Sequence, residues 1–106
     1  MLGGDLVSRQ GASEREYRTV VGRAYYGAFL AAREKAAISS KTAAVHQKTA
    51  DYYLGKNQSS IGNRLNQLRM RRTDADYDLN IQIGRNKAEE ALKLSLRVLQ
   101  ELGVVS

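Results

Sequence analysis

The residues best suited to chemistry lie between Leu68 and Asp78, where a basic run turns abruptly acidic. Arg69, Arg71 and Arg72 are followed by Asp74, Asp76 and Asp78 at alternate positions, with Tyr77 among the acids. A guanidinium offers a planar fork of donors that fits a phosphate bidentately. A carboxylate four residues along a helix from an arginine is within reach to orient that fork. Arg72 and Asp76 have this spacing. The pair therefore reads either as a structural fastening of a helix end or as a phosphate-binding arginine held in place by an acid. Tyr77 follows as a group able to hydrogen-bond or stack.

The three aspartates also resemble the opening of a calcium loop, but the loop needs glycine at its sixth position and glutamate at its twelfth. Leu79 and Arg85 stand there, so no metal site is expected. His46 is the only histidine and cysteine is absent, which rules out a zinc site of the usual composition. An imidazole titrates near pH 6.5, about where a general acid or base is useful. His46 is thus a candidate catalytic group, or an ordinary helix residue. The tyrosines Tyr25-Tyr26 and Tyr52-Tyr53 form two adjacent pairs. Aromatic groups beside cations can stack on bases, but at helical spacing they more often fill a core. Tyr17 and Tyr25 are assigned to the core.

The elements that must position these groups are helices. Proline is absent, and alanine, leucine, arginine and glutamine are abundant, which favours an all-α domain. The 106 residues fit one domain. No apolar run approaches the roughly 20 residues needed to cross a bilayer, and the first residues lack the pattern of a signal peptide. A cytoplasmic location is expected, without membrane or cofactor. Seventeen basic residues against eleven acidic give a formal net charge of +6, which points to an anionic partner such as RNA.

Residues 1–12 read as a short stretch in which Asp5-Leu6-Val7 ends a helix near Gly11. Ser13 and Glu16 have the spacing of a capping box, and a helix is expected from there to about Ala37. Its apolar stripe is Tyr17, Val20, Val21, Ala24, Tyr25, Ala28, Ala31 and Ala32, widened by Tyr26, Phe29 and Leu30. Gly22 and Gly27 are small enough to admit a second helix closely. A shorter helix over 42–54 starts at a Thr42 cap and stops at Gly55. A third, capped by Ser59 or Ser60, buries Ile61, Leu65 and Leu68, and the same stripe continues to Arg72. Arg64, Arg69, Arg71 and Arg72 make this helix basic. Residues 74–84 read as a linker. The last helix, from about Asn86 to Leu102 with Gly103 beyond it, is apolar around more than half its circumference. It should therefore pack on two sides or against a partner subunit.

Arg23-Ala24-Tyr25-Tyr26-Gly27-Ala28-Phe29-Leu30-Ala31-Ala32-Arg33 resembles a characteristic helix of HEPN domains. Leu68-Arg69-Met70-Arg71-Arg72-Thr73-Asp74-Ala75-Asp76-Tyr77 resembles the helix end "L-R-x-x-R-x-x-A-D-Y" found in such proteins. His46 stands where many members carry a histidine. The resemblance covers roughly residues 13–102, with the family's first helix shortened over 1–12. It implies an up-and-down bundle of four to five helices, usually dimeric, with RNA or a nucleotide bound at a cleft between protomers. It further implies a metal-independent endoribonuclease of a toxin–antitoxin or defence system, or else a non-catalytic module paired with a nucleotidyltransferase. On this basis Arg72, Asp76, Tyr77 and His46 are the candidate catalytic residues, and Arg64, Arg69 and Arg71 the candidate RNA contacts. The chain departs from the family's nuclease signature, in which a histidine follows the arginine by four to six residues. The residue in that place is Tyr77, whose phenol, with a pKa near 10, is a poor base at neutral pH.

Overall fold

A computed structural model describes residues 12–39, 42–78 and 80–105, apart from the side chains of Ala12 and Ser13. These residues form four helices: α1 (Ala12–Ala36), α2 (Val45–Gly55), α3 (Ser59–Tyr77) and α4 (Arg85–Glu101). There is no strand among the described residues. The expectation for residues 1–11, and the Ser13 side chain of the capping box, lie outside them.

The bundle closes around one apolar core. Val21, Ala24, Tyr25, Ala28, Phe29 and Ala32 come from α1. Ala50 and Tyr53 come from α2, Ile61, Leu65, Leu68 and Ala75 from α3, and Ala88, Ala91 and Val98 from α4. Each set recurs at three- and four-residue intervals, so each helix turns one face inward. Helix α3 runs antiparallel to α1: Arg18 meets the end of α3, and Tyr25 lies against Arg72 nearer its middle. It is antiparallel to α4 as well, since Arg71 pairs with Glu90 and Arg64 with Glu101. Helices α1 and α2 run in the same sense, because His46 contacts Tyr25 while Tyr53 donates to the Ala32 carbonyl at 2.7 Å. The up-and-down alternation thus begins at α2.

The helix ends depart from the expected capping. Helix α1 stops before Ser39. Ala37 takes a left-handed φ of 57°, and the Ile38 amide donates to the Arg33 carbonyl. Helix α2 begins at Val45 with Ala44 as its N-cap residue, two residues beyond the expected cap at Thr42. It stops through Asn57, at φ 61°, with the Gln58 amide returning to the Tyr53 carbonyl, so Gly55 is only its last helical residue. Neither Ser59 nor Ser60 caps α3. The Ser60 hydroxyl donates instead to Glu101 on α4. Gly103 ends α4 as expected, at φ 81°, with the Val104 amide bonded to the Leu99 carbonyl. This is the 6→1 closure that follows a left-handed residue.

Three packing expectations also change. Tyr26 and Leu30 are exposed, and of the three residues expected to widen the α1 stripe only Phe29 is buried. The close helix approach is at Gly62, where a Cβ would meet the Ala50 carbonyl oxygen at 2.8 Å and Leu54 Cγ at 2.7 Å; at Gly27 it would meet nothing within 4 Å. Finally, Asp74–Tyr77 belongs to α3 and not to a linker.

Candidate functional site

The site is assembled from three helices around Tyr25. This side chain is 1 % exposed, and its ring stacks on Phe29 one turn along α1. Its hydroxyl is 2.5 Å from His46 Nδ1 on α2. The His46 imidazole also stacks on Phe29, with ring centroids 4.4 Å apart. Arg72 of α3 places its guanidinium carbon 5.7 Å from the Tyr25 ring centroid, within the range of a cation–π contact. Arg72 Nε also donates to Asp76 Oδ2 at 3.1 Å, the spacing expected from the sequence. The Arg72 side chain is 34 % exposed. Its inward stripe position therefore leads to a half-sheltered cation over an aromatic face.

The last turn of α3 is held by α1. Arg18 Nη1 donates to the carbonyls of Ala75 at 2.7 Å, Asp78 at 3.3 Å and Asp74 at 3.4 Å, and its Nη2 bonds Glu14 at 3.0 Å and the Ile81 carbonyl. Glu14 Oε2 in turn accepts the Ile83 amide at 3.1 Å. Carbonyls at a helix C-terminus have no partner within the helix and carry partial negative charge. Arg18 supplies both donors and positive charge there, so α3 can extend through its aspartates. The Ile83 amide first, and then the Arg18 guanidinium, hold the Glu14 carboxyl below its usual range.

The neighbouring charges set the state of His46. Desolvation first, then the cations Arg69, Arg72 and Arg33, lower the imidazole pKa from its ordinary 6.5. Burial pushes Tyr25 up to about 12 despite the opposing pull of Arg69 and Arg72. At neutral pH both rings are uncharged. Arg69 is further tied to α2 by a long contact of 3.5 Å to Gln47 Oε1.

A groove of about 500 Å³ opens beside this cluster, between α1 and the C-terminal half of α3. Arg15, Arg23 and Arg72 line it along with Tyr26, and Asp76 is the acid among the described residues of its wall. Gly22 lines it as well, and a Cβ there would stand in ordinary contact with Asp76 Oδ1, at 3.9 Å. Tyr26 is 52 % exposed.

The candidate residues therefore divide. Arg72, His46 and Arg69 are gathered around Tyr25, and of the candidates only Arg72 and Asp76 line the groove. Arg64 and Arg71 face α4 instead, paired with Glu101 at 2.6 Å and Glu90 at 2.9 Å. Tyr77 is 76 % exposed at the end of α3 and is not among the residues lining the groove. Sequence reasoning missed Tyr25 as a site residue, Arg15 and Arg23 as groove cations, and Arg18 as the clamp. The Tyr25 pairing had a signal in the His46 position noted above. Arg18 acts 57 residues away on the Ala75 carbonyl and left no local trace. Among the described residues, no cluster of histidine and carboxylate side chains has the make-up of a metal site, and no helix is long and apolar enough to cross a membrane. No protein-family model, curated protein or solved structure matches this chain.

Proposed function

We propose that this chain is a HEPN-type RNA-binding protein that takes a backbone phosphate at the Arg72–His46 cluster. The observation that carries this reading is the meeting of His46 and Arg72 on one tyrosine, from helices that are separate in sequence. That meeting supplies an imidazole beside the arginine even though the residue following Arg72 in the signature position is a tyrosine. Arg72 offers its remaining donors to the phosphate while Asp76 holds Nε. Arg69 adds charge from the same helix, and Arg15 and Arg23 extend the positive surface along the groove.

Fluorescence anisotropy with a short RNA tests the reading. Each phosphate contact contributes to the salt slope, at roughly −0.7 per contact for a single strand. Arg72→Ala should weaken binding about tenfold or more, as expected for loss of a hydrogen bond to a charged group, and should flatten the slope. Binding unchanged by Arg72→Ala would remove the site. Incubating bulk RNA with the protein in EDTA separates a binder from a nuclease: cleavage that Arg72→Ala abolishes would make the protein a metal-independent endoribonuclease.

A second reading is favoured by α4. Leu92 and Leu96, one turn apart, are 51 % and 48 % exposed, and Val104 beyond the helix end is exposed as well. We infer that a second copy of this chain covers this face as a homodimer. A nucleotidyltransferase partner is the other occupant consistent with the resemblance. Sedimentation of the wild type and of Leu92→Glu/Leu96→Glu decides this. A wild-type monomer at micromolar concentration would rule the homodimer out.

A further inference from the structure

Tyr25 is buried and has a hydroxyl proton to place. Among the described residues, the acceptor facing its oxygen is His46 Nδ1, at 2.5 Å. A buried donor left without a partner costs about 1–3 kcal/mol, so the hydroxyl donates and Nδ1 accepts. A nitrogen that accepts carries no proton, and the neutral imidazole must then hold its proton on Nε2. If Nδ1 were protonated instead, it would donate to the phenol oxygen, and the buried phenol proton would be left without an acceptor among the described residues.

We propose that the Tyr25 hydroxyl locks His46 in its Nε2–H form, so that His46 serves the site as a neutral hydrogen-bond donor to a phosphate oxygen and not as a general base. This rests on the phosphate-binding reading above. Tyr25 is a positioning residue: it acts through His46 and reaches the ligand only by that route. The charged groups around the imidazole favour the same state. Arg33 on α1 and Arg69 and Arg72 on α3 all disfavour a second proton. Asp76, the nearby acid, is engaged with Arg72 Nε. Phe29 covers one face of the ring. A phosphate arriving at the cluster meets the forks of Arg69 and Arg72 and one N–H of fixed direction. It does not meet a free imidazole lone pair able to take a proton from a 2′-hydroxyl.

The experiment uses the full chain and combines ring-nitrogen NMR of His46 with RNA anisotropy. Free imidazole already leans toward the Nε2–H form, so the comparison with Tyr25→Phe carries the weight. The wild type should show the Nε2–H form alone, titrating below 6.5. Tyr25→Phe should raise the titration point and admit the Nδ1–H form. His46→Gln, which keeps an amide donor where Nε2 stands, should bind RNA within about threefold of wild type, while His46→Ala should lose about tenfold. Finding Nδ1–H in the wild type would overturn the proposal. It would also fall if the tautomer and titration were the same in Tyr25→Phe, or if His46→Gln were as defective as His46→Ala. RNA binding that is indifferent to Arg72→Ala is a different failure. It removes the phosphate site itself, and the tautomer measurement still decides whether Tyr25 holds His46.

Discussion

An alanine at Gly62 would test how tightly α2 is pressed onto α3. A Cβ at that position meets Leu54 Cγ at 2.7 Å, Leu54 Cδ2 at 2.8 Å and the Ala50 carbonyl oxygen at 2.8 Å. Carbon atoms rest at about 3.5–4.0 Å from one another, so neighbours must recede by roughly 1 Å. Leu54 is partly exposed and can turn aside. The Ala50 carbonyl belongs to the backbone in the middle of α2 and moves only if the helix moves. Overpacking of this kind costs about 1–3 kcal/mol, and a backbone neighbour places Gly62→Ala in the upper part of that range. The replacement of glycine within a helix returns up to about 1 kcal/mol. The net loss is then about 1–2 kcal/mol, a drop in Tm of roughly 5–10 °C for a domain of this size. Thermal and urea melts followed by far-UV circular dichroism measure it. Gly27→Ala is the matched control, because a Cβ there meets nothing within 4 Å. The control should hold or raise Tm. A Gly62→Ala protein as stable as wild type would refute the close approach of the two helices. With it would go the geometry that sets His46, on α2, beside Arg69 and Arg72 on α3.

Ala37→Gly should stabilise the protein by about 0.5–1 kcal/mol in the same melts, since a left-handed backbone strains any residue with a Cβ and Ala37 holds φ 57°. Arg18→Ala should destabilise by about 2–3 kcal/mol, because it strips charged donors from the end of α3; urea midpoints report the loss. Stability should also fall on the acid side of pH 6.5. The unfolded chain binds a proton to His46 at its ordinary pKa while the folded chain refuses it until lower pH. The unfolded state thus holds more protons in that window, and stability rises with pH across it. Glu14 and Glu101, both held below the usual carboxylate range by hydrogen-bond and arginine partners, extend the decline further into acid. At the other extreme, Tyr25 keeps its proton to about 12, so its contribution disappears as pH rises from 10 toward 12. Urea midpoints across pH 4–12 trace both edges.

What could be read from the sequence was what local pattern controls. The stripe Ile61–Leu65–Leu68 announced both the buried face of α3 and the half-inward place of Arg72. Gly103 announced the end of α4. What could not be read depends on distant parts of the chain. Alternating aspartates argue against a helix end, since the dipole there repels acids, and it takes the guanidinium of Arg18, from another helix, to offset that repulsion. Tyr26 and Leu30 fit the apolar spacing of α1 as well as Phe29 does. Which of them faces inward depends on where α2 lies, and the sequence of α1 alone does not contain that. Arg64 and Arg71 belong to the same basic run as Arg69 and Arg72, and it was the acids of α4 that drew them to the opposite side.

The Glu14–Arg18 clamp has a consequence for how the molecule opens. Helix ends ordinarily fray one residue at a time, but the final carbonyls of α3 and the Ile83 amide are secured by the first turns of α1. Neither segment can loosen without releasing the other. Hydrogen exchange should therefore find the Ile83 amide opening as one cooperative unit with the start of α1, with a protection above that of a loop. The short stretch that displays Asp76 and Tyr77 would then share the lifetime of the bundle's longest helix.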